Sequence, residues 1–205
     1  MAAGKPDRRI ERSRAALMSA FIEIVLGEGY EAVTVERVAE RANVGRSTFY
    51  MHYSGKEDIL RQSLTRPSTP MAVIVGGDIA PEALVPLLEH FRGQRRANHV
   101  FFDWPIRPIW VKTLAALIEP RLAQLARHAR ARPLLPPSFA AHAIAEMQIA
   151  LVTKWLTAHG ALKPQPVAEA LVAATRALAT ALLRCTPDGL VMPNEKLRIL
   201  YGAPP

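Results

Sequence analysis

Apolar residues recur along most of this chain at three- and four-residue steps, the period of an amphipathic helix. From Arg8 to Glu28 they place Ala15, Met18, Phe21, Ile22 and Val25 on one stripe, with Gly27 and Gly29 as stops. Thr34 suits the N-cap of a helix running through Ala42, whose Val35, Val38 and Ala39 face inward. Asn43 tolerates left-handed backbone and marks a sharp turn. Gly45 caps a helix of about Arg46 to Tyr53, and Ser54 with Glu57 has capping-box spacing for the next one. Pro67, Pro70 and Pro81 predict a loop or connector over 66–80, in which "MAVIVGG" (71–77) is the one β-like run. Helices are then expected at about 81–92, 106–118 and 120–131, the last opened by Pro120. Two longer ones follow at 138–159 and 165–184, and the tail from Pro187 is irregular with one turn near 194–200. The pattern is all-α, with a smaller N-terminal domain over 1–63 and a larger helical one over 64–205.

Within the smaller domain, "RVAERANVGRSTFYMHYSGKEDIL" (37–60) crowds hydrogen-bonding side chains onto a short helix. Two short helices joined by a tight turn suit a helix-turn-helix. Val38, Ala39, Ala42, Val44 and Phe49 supply the small and apolar contacts that brace the second helix on the first. The second helix then offers its N-terminal residues to the major groove, which admits one helix. Arg46 can take guanine O6 and N7 with two bonds, and Ser47 and Thr48 can bond bases or phosphates. Tyr50 and His52 are long enough for phosphates, and Lys56 adds charge beside the backbone N–H groups that open the next helix. Periodicity alone fits two ordinary surface helices equally well.

A longer match tips that balance. "EGYEAVTVERVAERANVGRSTFYMHYSGKEDIL" (28–60) resembles the DNA-binding domain of the tetracycline-repressor (TetR) family. Gly29-Tyr30, Thr34, Ala39, Ala42, Val44, Thr48-Phe49-Tyr50, His52, Tyr53, Lys56-Glu57 and Leu60 all stand at that family's spacing. The resemblance covers residues 10–60. It implies that Arg46, Ser47, Thr48 and Met51 face bases, that Thr34, Tyr50, His52 and Lys56 hold phosphates, and that Phe49 and Tyr53 are core. Two positions depart from the pattern: Asn43 stands where glycine is common, and Gly45 where a capping Ser or Thr is common. Gly45 costs little as a cap, although a hydroxyl contact is lost.

The formal net charge of +8 favours a polyanionic partner, yet its distribution is uneven. Residues 1–63 hold ten Lys or Arg against nine Asp or Glu, and residues 92–132 hold nine against two. In the smaller domain the positive groups gather at the N-terminal arm, Arg46 and Lys56, and its carboxylates (Glu23, Glu28, Glu31, Glu36, Glu40) are expected off the DNA face. The basic helix at 121–132 reads as a solvated face. One cysteine, Cys185, leaves no disulfide framework or cysteine metal cage and is expected to be a buried, inert thiol. The histidines lack metal-ligand spacing, and no nucleophile elbow or phosphate-cradling glycine loop is present. No cofactor, metal or catalysis is expected. No uninterrupted apolar run reaches the length of a membrane span, which together with the lack of a leader-like segment predicts a soluble, cytoplasmic protein.

In the larger domain Val167, Leu171, Ala174, Leu178 and Ala181 recur at near-heptad spacing, and small alanines let helices approach closely. They are the expected dimerisation face of a homodimer, since helix-turn-helix proteins usually read two half-sites of an inverted-repeat operator. Phe101, Phe102, Trp104 and Trp110, with Met147 and Trp155, are candidates to line a pocket for an apolar or aromatic inducer. The resulting expectation is a ligand-responsive transcriptional regulator, a repressor that a small molecule releases from DNA. Its rival is a helical DNA-binding protein controlled by a protein partner.

Overall fold

The computed structural model describes residues 8–93, 101–102, 104–158 and 162–185; residues 1–7 of the N-terminal arm, Asp103 and the tail turn lie outside them, while Arg8, Arg9, Arg12 and Arg14 of the arm stand on the first helix. Among the described residues the chain is helical and carries no strand. In chain order, α1 is Arg8–Glu28, α2 is Val35–Arg41, α3 is Arg46–His52 and α4 is Lys56–Val73. A short 3₁₀ turn at Pro81–Leu84 leads into α5, Val85–Gly93. Then come α6, Ile106–His128, α7, Pro137–Thr157, and α8, Pro164–Leu183. The chain forms two compact units, one of Met1–Arg66 with Arg96–Ile109, the other of Pro67–Arg95 with Trp110 onward.

In the first unit, α1 to α3 and the start of α4 close on Leu17, Phe21, Ile24, Val25, Val38, Phe49, Tyr53, Ile59 and Leu60. The buried stripe of α1 is therefore set by its larger aliphatics, Leu17 and Ile24, while Ala15 is exposed and Met18 and Ile22 are half-buried. Gly29 lies at φ 88, a left-handed conformation that favours glycine, and its N–H closes α1 on the Val25 carbonyl. The Thr34 hydroxyl accepts the Arg37 N–H and caps α2 as expected. The capping box at α4 takes another form. Gly55 carbonyl receives the first helical N–H groups, and Asp58, not Glu57, reaches back to the Ser54 N–H at 2.9 Å. The first helical carbonyl belongs to Gly55 rather than Ser54, and Asp58 stands three residues past it.

The expected connector over 66–80 is a helix for half its length. Pro67 and Pro70 lie inside α4 and withdraw the N–H groups that Ser63 and Arg66 carbonyls would otherwise receive. Burial of Leu64, Ser68, Met71 and Ala72 on one side holds the helix through them. The apolar run 71–77 is the helix end and its turn, not a strand; its burial comes from all sides. Side chains from three helices finish the turn. Gln148 Nε2 donates to the Met71 carbonyl at 3.2 Å, Arg121 Nε to Val75 at 2.7 Å, and Arg176 Nη2 to Gly77 and Ile79 at 3.4 and 3.3 Å. Cations at a helix C-terminus are also favoured by its dipole. Gly76, at φ 84, lies so close to Leu125 that a Cβ would stand 3.3 Å from Cδ1.

Pro120 likewise does not divide 106–131 into two helices; α6 runs through it, with Val111, Leu114, Ile118, Leu122 and Leu125 buried. Three polar side chains are buried among the described residues, Ser68, Gln148 and Thr175, all in the second unit. Trp110 Nε1 donates to Ser68 Oγ at 2.9 Å, and Gln148 Nε2 donates to Thr175 Oγ1 at 2.9 Å. Cys185 is half-buried rather than buried, and desolvation raises its thiol above the ordinary range, which keeps it protonated. By length and composition α8 could cross a membrane, but eight of its residues pack into the second unit. Glu169 and Arg176 interrupt it as well.

Candidate nucleic-acid interface

The turn that aims α3 is built at Asn43, which takes the left-handed conformation at φ 52. Its N–H bonds the Glu40 carbonyl, and the Val44 N–H returns to Ala39 at 3.0 Å, closing α2 before the chain turns. Gly45 then serves as N-cap with no side-chain bond, and its carbonyl receives the N–H groups of Thr48 and Phe49. The seven residues of α3 put one side chain in the core and most of the others toward solvent. Phe49 is fully buried and its ring lies 5.5 Å from that of buried Tyr53. Tyr50 stacks edge-on against Phe49 at 5.6 Å yet stays 53% exposed, and Met51 is 73% exposed. Arg46 and Ser47 are exposed beside them, with Thr48 half-buried.

Each neighbour on this face is held in a defined way. Lys56 Nζ sits 4.8 Å above the Tyr30 ring, a cation–π contact that fixes the ammonium at the start of α4. Burial pushes the Tyr30 hydroxyl up to about 12, so it stays neutral beneath the lysine. The Thr34 hydroxyl accepts from Arg37 and retains its own proton to donate. His52 Nε2 stands 2.7 Å from Ser13 Oγ on α1. The same hydroxyl also lies within bonding distance of the Arg9 and Ile10 carbonyls, and which of hydroxyl and imidazole donates to the other follows from the ring tautomer.

The carboxylates of this unit do not all turn away from the face. Glu28 takes both oxygens to Arg37, at 2.7 and 2.6 Å, which holds its carboxyl below the ordinary range; Glu23 pairs with Arg41 at 3.2 Å. Glu36, however, reaches Arg46 at 2.8 Å and so stands on the face itself. Packing the first turn of α2 beside the first residue of α3 brings them together, a contact between positions ten apart that helical periodicity does not register. Ser13 escaped the sequence reading for a similar reason, as it sits on another helix, 39 residues from His52.

The remaining candidates are dispersed. Phe101, Phe102 and Trp104 belong to the first unit, Trp110, Met147 and Trp155 to the second. Trp104 is 81% exposed, a surface residue rather than a lining one. Trp110 packs edge-on against Phe91 at 5.7 Å, and Trp155 Nε1 donates to the Leu162 carbonyl at 2.9 Å. Met147 is half-buried. On α8, Val167 and Leu171 are buried in the chain's own core, Ala174 and Leu178 are half-buried and Ala181 is exposed. The open side of that helix is instead Ala170, Ala173, Ala177 and Ala181.

Residues 17–62 match the model for bacterial regulatory proteins of the tetR family. The HTH-type transcriptional regulator TcmR of Streptomyces glaucescens is 38% identical over 56 residues, 27% of this chain and 25% of that protein. The HTH-type transcriptional regulator YxbF of Bacillus subtilis (strain 168) is 36% identical over 61 residues, 29% of this chain and 16% of that protein. Both matches span well under half of the relatives' length. The fold of a TetR transcriptional regulator from Streptococcus agalactiae 2603V matches more widely, over 82% of this chain and 96% of that one, at TM-score 0.54 and 24% identity.

Proposed function

We propose that the chain, whose residues 17–62 match the tetR family of bacterial regulatory proteins, is a homodimeric transcriptional regulator whose α3 reads the major groove of an inverted-repeat operator. One observation carries this reading. A seven-residue helix buries Phe49 completely and leaves Arg46, Ser47, Tyr50 and Met51 outward, an exposure of large side chains that folding does not repay. The same helix opens at a residue that can bond guanine O6 and N7 together. Arg46, Ser47, Thr48 and Met51 face the bases in this proposal; Thr34, Tyr50, His52 and Lys56 hold the backbone. Selection of duplexes from a random pool by the full chain tests it. The expected product is an inverted repeat with half-sites about one turn, 34–36 Å, apart. No enrichment at moderate salt would refute it.

The dimer we propose uses the open alanines of α8, Ala181 among them, with Ala174 and Leu178 at its edge, rather than Val167 and Leu171. Small residues permit close helix approach there. We assign ligand response, and release from the operator by an inducer, to the second unit. Gln148 supports this: it is fully buried, both amide protons are committed to Met71 and Thr175, and Oε1 has no donor. A buried carbonyl left unbonded costs about 1–3 kcal/mol, and an inducer bearing a hydroxyl or N–H would supply the missing bond.

A further inference from the structure

Glu36 lies in the first turn of α2 and Arg46 opens α3; their side chains meet at 2.8 Å, Oε1 to Nη2. Both are mostly in solvent, 60% for Arg46 and 53% for Glu36, so the pair adds little to folding. Its effect falls on what the guanidinium can do next. An unrestrained arginine beside DNA takes any phosphate within reach, a contact that carries no sequence information. A carboxylate at this place changes that in two ways. Its charge repels the backbone of every duplex, and its single contact engages one N–H while leaving enough of the five donors for a bidentate bond to a base edge. Arg46 also stands at the positive end of a helix dipole, where a neighbouring anion steadies it.

We infer that Glu36 is a positioning residue that holds Arg46 for guanine and exchanges general affinity for discrimination. This rests on the groove-reading role of α3 proposed above. Specificity is a difference between affinities, and a repulsive element that penalises all sequences while sparing one contact increases it.

The test uses the full-length dimer and three duplexes: the selected operator, the operator with the Arg46 base pair replaced, and a random sequence. Binding is followed by fluorescence anisotropy for wild type, Glu36→Ala, Arg46→Ala and the double variant, each checked for an unchanged thermal midpoint. Should Glu36→Ala lower that midpoint, Glu36→Gln takes its place. Glu36→Ala should bind the random duplex about threefold or more tightly, through lost repulsion at both half-sites. It should also lose about fivefold or more of its preference at the Arg46 base pair. That second effect should vanish in the Arg46→Ala background, as it must if Glu36 acts through Arg46. Unchanged discrimination in Glu36→Ala overturns the inference. So does an effect that persists without Arg46, which would mean that Glu36 reads a base itself, for instance cytosine N4. A wild-type protein that prefers no duplex fails at the earlier step, the groove-reading proposal, and this inference falls with it.

Discussion

Replacing Arg46 with alanine separates reading from folding. The ion pair it makes with Glu36 is largely solvated, so truncation should change stability by about 1 kcal/mol at most. Alanine is also a good helix former at the position it would take in α3. Binding should respond very differently. A bidentate arginine–guanine contact discriminates by about 1–3 kcal/mol, and a two-fold dimer makes it twice, which gives about 2–6 kcal/mol, or roughly 30-fold to 10⁴-fold in Kd. On a random duplex only a phosphate-type attraction is lost, and the loss should stay near tenfold or less. Anisotropy titrations at one fixed salt concentration, on the selected and the random duplex, measure both. Selection repeated with the variant should show a flattened logo at one symmetric pair of positions. Equal losses on the two duplexes, or an unaltered logo, would refute base reading by Arg46 and leave it a phosphate contact. A large drop in thermal midpoint would show that the exposed pair was misjudged.

Lys56→Ala should weaken binding to all duplexes alike and lower the salt slope by about 0.9 per protomer, read from titrations across salt; an unchanged slope removes Lys56 from the backbone contacts. Asp58→Ala should cost about 0.5–1 kcal/mol at neutral pH, because its carboxylate accepts the Ser54 N–H at the start of α4 in a setting where solvent screens much of the charge. That bond, first among the causes, holds the Asp58 carboxyl below its ordinary range, so its contribution is whole above the unfolded value and is lost as acid protonates the folded group. Urea unfolding should therefore show the deficit of the variant narrowing below about pH 4, and a deficit constant with pH would exclude the ionic bond. Ala177→Glu should yield monomers of native helicity in sedimentation, whereas Leu171→Asp should lose about 3–5 kcal/mol of stability by charging the protomer's core; a surviving Ala177→Glu dimer places the interface elsewhere.

Where the first unit was legible in the sequence, its determinants are local. Thr34 caps within three positions, Asn43 sets a turn by its own backbone preference, and Phe49 is separated from Tyr50 and Met51 by helical period alone. The same locality explains the misses. Glu36 with Arg46 and Ser13 with His52 meet across packed helices, and nothing in either segment alone announces the partner. The aromatic cluster 101–110 was grouped by adjacency in sequence, yet Trp104 is exposed while Trp110 is a core residue bonded to Ser68, so adjacency was no guide to shared surroundings. On α8 the near-heptad reading took Val167, Leu171, Ala174, Leu178 and Ala181 for a partner subunit, and of these Val167 and Leu171 are buried in the chain's own core.

Proline shows most clearly where a local rule yields to tertiary structure. An interior proline costs a helix about 3 kcal/mol, and the pair at 67 and 70 predicted a break. That cost is set by the N–H removed and the ring clash, both of which are local; what opposes it is not. Leu64, Ser68 and Met71 bury one face of α4 on either side of the prolines, and Gln148, 77 residues away in sequence, meets the Met71 carbonyl. Arg121 and Arg176 meet Val75, Gly77 and Ile79 in the turn that follows the helix. A loop in place of 66–73 would leave Gln148 without the Met71 carbonyl and Ser68 without its indole partner. The helix persists because breaking it would forfeit its buried face and its bonds to α6 and α7.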